Sequence, residues 1–543
     1  MLKNYKKSFL FLTLSFLMIL SAGCAMGSGK IKPPKNVKWD TNSFDKVSVH
    51  DPSVESVINE DGEEEFYIFG SHLAEAKTKD FLTWEVPFMR EYENMEDNIL
   101  FGDTNENLKE TFEWAGYDDA DSAGGYNLWA PDVIYNEDFE WSNGDTGAYL
   151  LYYSATSTWR RSAIVMLASQ DIEGPYEYVD TIIYSGFTSV DSTDGSERNT
   201  NYEATNLPDL IDDGTISEFN EEWVRNSGRE YNTDYAPNAI DPAAFYDENG
   251  QLWLGYGSWS GGIYLLELDP ATGKPIYPGE DSVTEDGRVI DRYFGVKISG
   301  GYHQSGEGPF FGYDDETGYY YMWVTYGGLQ SNGGYNMRLF RSEEVTGPYV
   351  DMKGNTGIIE QGDNNENYGI KLLGNYDIPG LEGNGYRAAG HNSVVKDKDG
   401  NWFNIFHTRF NTFGEEHEVR VHQMLRNSDD WLIPLPYQYS GDIAEIAHLE
   451  DEDIVGDYEM VNHGTENSSE MLDTLSIILE DDGKISGDQE GQWSLDEDGY
   501  LKMTIDDVEY DGFFTELSDE EDQTRTVFAA YGTDNDMIWG IKN

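Results

Sequence analysis

Five segments of the 543-residue chain repeat one pattern: an apolar strand, a gap, and a second strand closed by a polar turn. Two copies are almost parallel. YLLYYSAT leads to IVMLASQDIEGPYEYVD, and YYYMWVTY leads to YNMRLFRSEEVTGPYVD, each ending in an acidic turn and Gly-Pro-Tyr. The looser copies are FYIFGSH with EAKTKDFLTWE, LWLGYGSW with GIYLLELDPATGKPI, and WFNIFHTRF with EVRVHQMLRNSDDWLIP. A strand-strand-turn unit repeated at intervals of tens of residues cannot bury its apolar face alone. Such units pack on one another around an axis, which is the signature of a propeller. Little of the sequence reads as helix; short alternating runs punctuated by Gly, Asn and Asp dominate, so the expected class is all-β.

What precedes each copy is then the innermost strand of a blade, lining the central channel. The five stretches are VSVHDPSVE, NLWAPDVIYN, NAIDPAAFYDENG, SGEGPFFGYDDETG and GHNSVVKDKDGNW. Aligned on one another, they ring the channel with Asp51, the segment from Trp129 to Asp132, Asp241, Glu307 and His391. A single Asp before Pro, such as Asp241, is an ordinary turn former. Three carboxylates at matching positions in a narrow channel are different: they raise one another's proton affinity, a cost that stability alone does not justify. Two carboxyls, one protonated and one ionised, are the minimum for glycoside hydrolysis, and a third can hold the donor's proton by like-charge repulsion.

The ring HDPS, LWAPD, NAIDP, GEGPF and GHNS resembles glycoside hydrolase family 43, and within it the endo-1,5-α-L-arabinanases. GYGSWSGGIYLLELDPATGKP and YGIKLLGNY are similar to arabinanase segments as well, and the likeness runs over roughly residues 44 to 437. It implies a five-bladed β-propeller and an inverting hydrolase of α-1,5-linked L-arabinan. It makes Asp51 the general base, Glu307 the general acid, and Asp241 the residue that tunes the acid's pKa. Inversion implies that base and acid stand roughly 6.5–9.5 Å apart, with room for water. His391 matches the family's histidine beside a hydrated calcium ion; by its chemistry alone a lone His is a poor calcium ligand, since calcium prefers oxygen. Trp129 is placed to stack on a sugar ring or to pack in the core. Asn238, Ala239 and Ile240, and Ser258, Trp259 and Ser260, are expected at the sugar-binding rim. The alternatives are a β-xylosidase or exo-acting arabinanase of the same family, and, from another class, a non-catalytic carbohydrate-binding propeller. Levan- and sucrose-active enzymes carry an Arg before the second Asp, which NAIDP lacks. Residues 90–125 and 185–235 are long acidic insertions that would wall or gate the groove.

The formal charge of −68, from 103 acidic and 35 basic residues, excludes non-specific nucleic-acid binding and disfavours a polyanionic substrate. At the N-terminus, MLKNYKK is a basic segment, SFLFLTLSFLMIL an apolar one too short for a comfortable membrane span, and LSAGC ends at Cys24. LSAGC resembles the lipobox of bacterial lipoproteins, which implies residues 1–23 as signal peptide, Cys24 as the lipidated residue, and 24–43 as a tether at the cell surface. An ordinary signal peptide cut nearby is the other reading. Cys24 is the only cysteine, so no intramolecular disulfide forms. Past residue 437 the blade pattern stops, and residues 438–543 read as alternating strands joined by tight turns, enough for a small β-barrel. Some extracellular arabinanases carry a lipocalin-like barrel there. The expected partners are arabinan and its oligosaccharides, with the protein a monomer.

Overall fold

The structure, a computed structural model, describes residues 43–59, 61–87, 98, 100, 102–117, 127–156, 160–381, 383, 385–412 and 414–543. The leader, Cys24 and the tether up to residue 42 lie outside the described residues, as does part of the 90–125 insertion.

Five sheets, I to V, antiparallel except for one parallel pair at the edge of sheet V, follow one another along the chain, with a two-stranded ribbon of Val224–Arg225 and Glu230–Tyr231 between sheets II and III and a closed eight-stranded barrel after sheet V. Their innermost strands are Ser53–Ile58, Leu128–Glu140, Ala243–Tyr246, Glu307–Asp314 and Tyr386–Lys396. Each of these strands touches the next in order, and the one in sheet V returns to the one in sheet I. The backbone joins the ends as well, Val419 N donating to Val47 O at 2.9 Å. Beside it Val47, Val49, Phe66 and Ile68 share a core with Phe403, Ile405 and Val421. The result is all-β and propeller-like.

The strands hold their places for simple reasons. A sheet packed on both faces needs unbroken apolar runs rather than alternation, and Ser162–Ser169, SAIVMLAS, is buried throughout. The turns after the innermost strands of sheets III, IV and V each run from an Asp to a Gly, three residues on in sheets III and V and four in sheet IV. Gly250 N bonds to Asp247 O, Gly318 N to Asp314 O and Gly400 N to Asp397 O, at 3.0, 2.8 and 2.9 Å. All three glycines have φ between 78° and 92°, where a side chain would be strained.

The expected barrel is present, running from Gly456–Asn462 to Met537–Lys542 and closed by the pairing of those two strands. It is stitched to sheet V: Met471–Leu472 pairs in parallel with Asn375–Tyr376. Trp539 and Tyr531 of the barrel enter the same core as Tyr376, Trp431 and Leu432. Their polar ends are satisfied across the junction, Trp539 Nε1 on Pro434 O at 3.0 Å and Tyr531 hydroxyl on Leu432 O at 2.6 Å. The 185–235 insertion is a folded lobe and no loose gate. Its Phe187, Trp223 and Tyr231 are buried with Tyr293 and Phe294 beside sheet III, and Trp223 Nε1 donates to the buried Asp291 carboxylate at 2.7 Å.

Candidate active site

At one end of the channel the same backbone device recurs on or just before every innermost strand. Asp51, Ala130, Asp241, Gly308 and His391 have φ of 54°, 40°, 56°, 54° and 48°, and sheet V carries a second left-handed residue at Ala388. Four of the five precede proline, and His391 precedes Asn392. Proline disfavours the right-handed helical region in the residue before it, which helps hold this conformation. In sheets II, IV and V the strand pairing slips at this point, between Trp129 and Asp132, Glu307 and Phe310, and Gly390 and Ser393. Such bulges re-aim side chains.

This register corrects the sequence alignment at two places. In sheet IV the left-handed seat belongs to Gly308, so Glu307 stands one residue earlier than Asp51 and Asp241. In sheet II the seat is Ala130, and Asp132 lies beyond it. Asp132 accepts Ser53 Oγ and Ala244 N, both at 2.5 Å, tying sheets I and III to its own, and is not among the residues lining the cavity.

Asp51 is buried under imidazoles. His50 Nδ1 lies 2.7 Å from its Oδ1, His391 Nδ1 3.1 Å and His407 Nδ1 3.8 Å, while Ser71 Oγ donates to Oδ2 at 2.5 Å. The network assigns tautomers. Arg409 can only donate, and its guanidinium is 3.3 Å from His50 Nε2, so His50 carries its proton on Nδ1 and donates to Asp51. Asp51 N–H donates to His407 Nδ1 at 3.2 Å, which places the His407 proton on Nε2. Burial alone would raise the Asp51 carboxyl, but His391, His50 and His407 outweigh it and hold it well below the usual carboxylate range.

The other two acids move the opposite way. Burial, with the Asp51 charge behind it, pushes Asp241 up to about 7 against the pull of Gly308 N–H, which donates to its Oδ2 at 3.1 Å. Burial and then the Asp241 charge raise Glu307, although Tyr335, His391 and Trp259 pull it back. Tyr335 hydroxyl donates to Glu307 Oε1 and Trp259 Nε1 to Oε2, each at 2.7 Å.

All three acids line one cavity of about 520 Å³, together with His391, Trp129, Ile240 and Ser258. The remaining predicted contacts fall elsewhere. Asn238 and Ala239 are buried behind Ile240 on Ser185 Oγ, at 3.1 and 2.9 Å. Ser260 is fully buried outside the lining, and Trp259 is spent on Glu307. No described residue of the two insertions lines the cavity; its outer wall comes from Leu329 and Glu415, whose loops are tied by Ser331 Oγ on Glu415 Oε1 at 2.6 Å. Sequence reasoning passed over His50, Ser71, Tyr335, His407 and Arg409. The sequence signal was a His and an Arg set in the middle of the apolar strand WFNIFHTRF.

Among the described residues His50, Asp51 and His407 bring ligand atoms within 4.8 Å of one another. Both nitrogens of His50 and Nδ1 of His407 are engaged as above, so the atoms that face Asp51 form a hydrogen-bonded nest for it and not an open metal shell. Calcium takes roughly six to eight oxygen ligands, and this end of the channel offers imidazoles and one ionised carboxylate. A calcium ion beside His391 therefore fits only as a largely hydrated ion.

One carboxylate held well below its usual range and two carboxyls pushed above theirs, all lining one cavity, are the opposed acid environments that glycoside hydrolysis needs. Residues 217–432 match the glycosyl hydrolases family 43 and residues 436–540 its C-terminal lipocalin-like domain. The chain is 36% identical over 522 residues to extracellular endo-α-(1→5)-L-arabinanase 2 of Bacillus subtilis (strain 168), covering 94% of this chain and 96% of that one. It is 36% identical over 514 residues to the extracellular endo-α-(1→5)-L-arabinanase of Thermotoga petrophila, covering 92% and 94%. A crystal structure of endo-1,5-α-L-arabinanase from Thermotoga petrophila RKU-1 superposes with a TM-score of 0.74 at 35% identity, over 92% of this chain and 99% of that one. The chain belongs to glycosyl hydrolase family 43.

Proposed function

We propose that the protein is an inverting endo-hydrolase of α-1,5-linked L-arabinan, and that the ring of sheets I to V is a five-bladed propeller. The observation that carries the mechanism is the opposed environment of Asp51 and Glu307. Asp51, nested in imidazoles, keeps its negative charge and takes a proton from the water that attacks the anomeric carbon. Glu307, raised by burial and by Asp241, delivers its proton to the departing glycosidic oxygen. Asp241 touches neither; it acts on Glu307 through charge and is oriented by Gly308 N–H. Trp129 and Ile240 offer apolar surface to a sugar ring, and Ser258 a hydroxyl. A hydrated calcium ion near His391 would supply positive charge beside the carboxylates.

Curated relatives named as endo-arabinanases over nearly their full length support the substrate. The test is product analysis on linear and debranched arabinan, xylan, levan and aryl glycosides. Mixed-length oligosaccharides from linear arabinan are expected. Arabinose or one short product alone would mean exo action, and xylose released in preference would mean a β-xylosidase. No turnover of any of them would leave a carbohydrate-binding propeller.

Location is proposed from LSAGC: lipidation of Cys24 holds the enzyme on the outer face of the cell membrane through a short tether. Cys24→Ala should release it to the medium or block maturation; equal membrane association of the variant would defeat this reading.

A further inference from the structure

The two oxygens of Glu307 are not equivalent. Oε2 receives Trp259 Nε1–H at 2.7 Å, and an indole nitrogen can only donate. Oε1 faces the Tyr335 hydroxyl at 2.7 Å, which can donate or accept. A protonated carboxyl has one carbonyl-type oxygen and one hydroxyl. Trp259 fills the first place at Oε2, so the acid proton belongs on Oε1, where Tyr335 is the partner able to accept it. Once the proton has gone to the glycosidic oxygen, the Tyr335 O–H turns back and donates to the new carboxylate. Only the hydroxyl has to rotate, because the ring is clamped. A Cβ on Gly390 would lie 2.5 Å from Tyr335 ring atoms, and the ring stacks on His407 with centroids 5.9 Å apart. Tyr335 itself is buried, and burial followed by the Glu307 charge holds its hydroxyl well above the usual phenol range, so it never competes as the acid.

We propose that Tyr335 is a positioning residue for proton donation: a two-way hydrogen-bond switch that, with Trp259, assigns the transferable proton to Glu307 Oε1 and stabilises the carboxylate left behind. This rests on Glu307 being the acid, and the experiment separates the two claims. Wild type, Glu307→Gln, Tyr335→Phe and the double variant are compared on linear arabinan and on an aryl arabinobioside whose nitrophenolate leaves without protonation. A hydrogen bond to a charged group corresponds to roughly ten- to a hundredfold, so Tyr335→Phe should lower kcat on arabinan by about that factor with KM little changed. The aryl substrate should keep nearly full rate. In the Glu307→Gln background the second change should cost nothing further on arabinan, since no proton is left to place. Equal loss on both substrates, no loss on arabinan, or full further loss in the Glu307→Gln background would overturn the role of Tyr335. A Glu307→Gln enzyme that the aryl substrate fails to recover would instead remove Glu307 as the acid.

Discussion

Gly308 occupies the one left-handed seat of the five that has no side chain, and adding a methyl there probes how tightly the acids are held. A Cβ at Gly308 would meet His391 Cγ, Cδ2 and Nδ1 at 2.7, 2.9 and 2.9 Å, all inside contact distance. Two costs follow for Gly308→Ala. Left-handed backbone costs a non-glycine residue ~1–2 kcal/mol, and forcing a well-packed ring aside costs ~1–3 kcal/mol. Ala130 separates them, since it holds an alanine at φ 40° in the equivalent seat of sheet II. The backbone thus tolerates alanine, and the ring contact is the larger obstacle. The retreat of His391 would also lengthen its 3.1 Å approach to Asp51 and disturb the Gly308 N–H bond to Asp241. The assay is urea unfolding followed by tryptophan fluorescence, with kcat on arabinan measured in parallel. Gly308→Ala should lose ~2–4 kcal/mol and most of its activity, and in a His391→Ala background the same change should cost only ~1–2 kcal/mol, the backbone share. Equal cost in both backgrounds would refute the argument.

Replacing Asp51 by Asn or Glu307 by Gln should each cost several orders of magnitude on arabinan, but an activated aryl leaving group should recover Glu307→Gln far more than Asp51→Asn; recovery of Asp51→Asn alone would swap the two roles. Asp241→Asn removes a negative charge that raises Glu307, so Glu307 ionises more readily and the alkaline limb of the kcat/KM profile should move to lower pH. Glu75 in sheet I is buried, neither of its carboxyl oxygens has a hydrogen-bond partner, and burial followed by the Glu173 charge raises it well above the usual range. The folded state therefore binds more protons at this site than the unfolded one, and stability falls as pH rises above the unfolded value of about 4.3, by at most ~1.4 kcal/mol per unit. Glu75→Gln should match wild type in urea unfolding near pH 5 and surpass it by pH 8; parallel curves across that range would show the group to be ionised when folded.

The sheets were legible because their strands are long apolar runs closed by Asp-Gly turns, and both signals are local. Asp51 and Asp241 were legible for a related reason: the left-handed seat announces itself as an Asp before a Pro. Glu307 shows where such reading runs out. In GEGPF the seat passes to the glycine, and a slip in the strand pairing between Glu307 and Phe310 keeps Glu307 on the cavity one residue ahead of that seat, so the motif was legible while its register was not. His407 and Arg409 look like strand-core positions, and only the fold brings them beneath Asp51, more than 350 residues away in sequence. Tyr335 carries no local signal at all. The acidity of the 185–235 segment suggests a wall or gate, whereas its Phe187, Trp223 and Tyr231 mark a segment packed into the core shared by sheets II and III.

The five left-handed seats have a consequence for directionality. A linear polymer laid across the ring can enter either way round, and the left-handed turn that recurs in all five sheets does not by itself tell one side of the ring from another. An arabinan chain, however, has distinct ends, and water must arrive on one side of the scissile bond while the proton arrives on the other. That polarity is written only in what occupies the seats, in order Asp, Ala, Asp, Gly and His, with Glu307 displaced by one residue from the fourth. Sheets I and IV, which bear Asp51 and Glu307, the proposed base and acid, are separated by one sheet in one direction around the ring and by two in the other. Different side chains at recurring backbone positions would let a ring of similar sheets read the sense of its substrate.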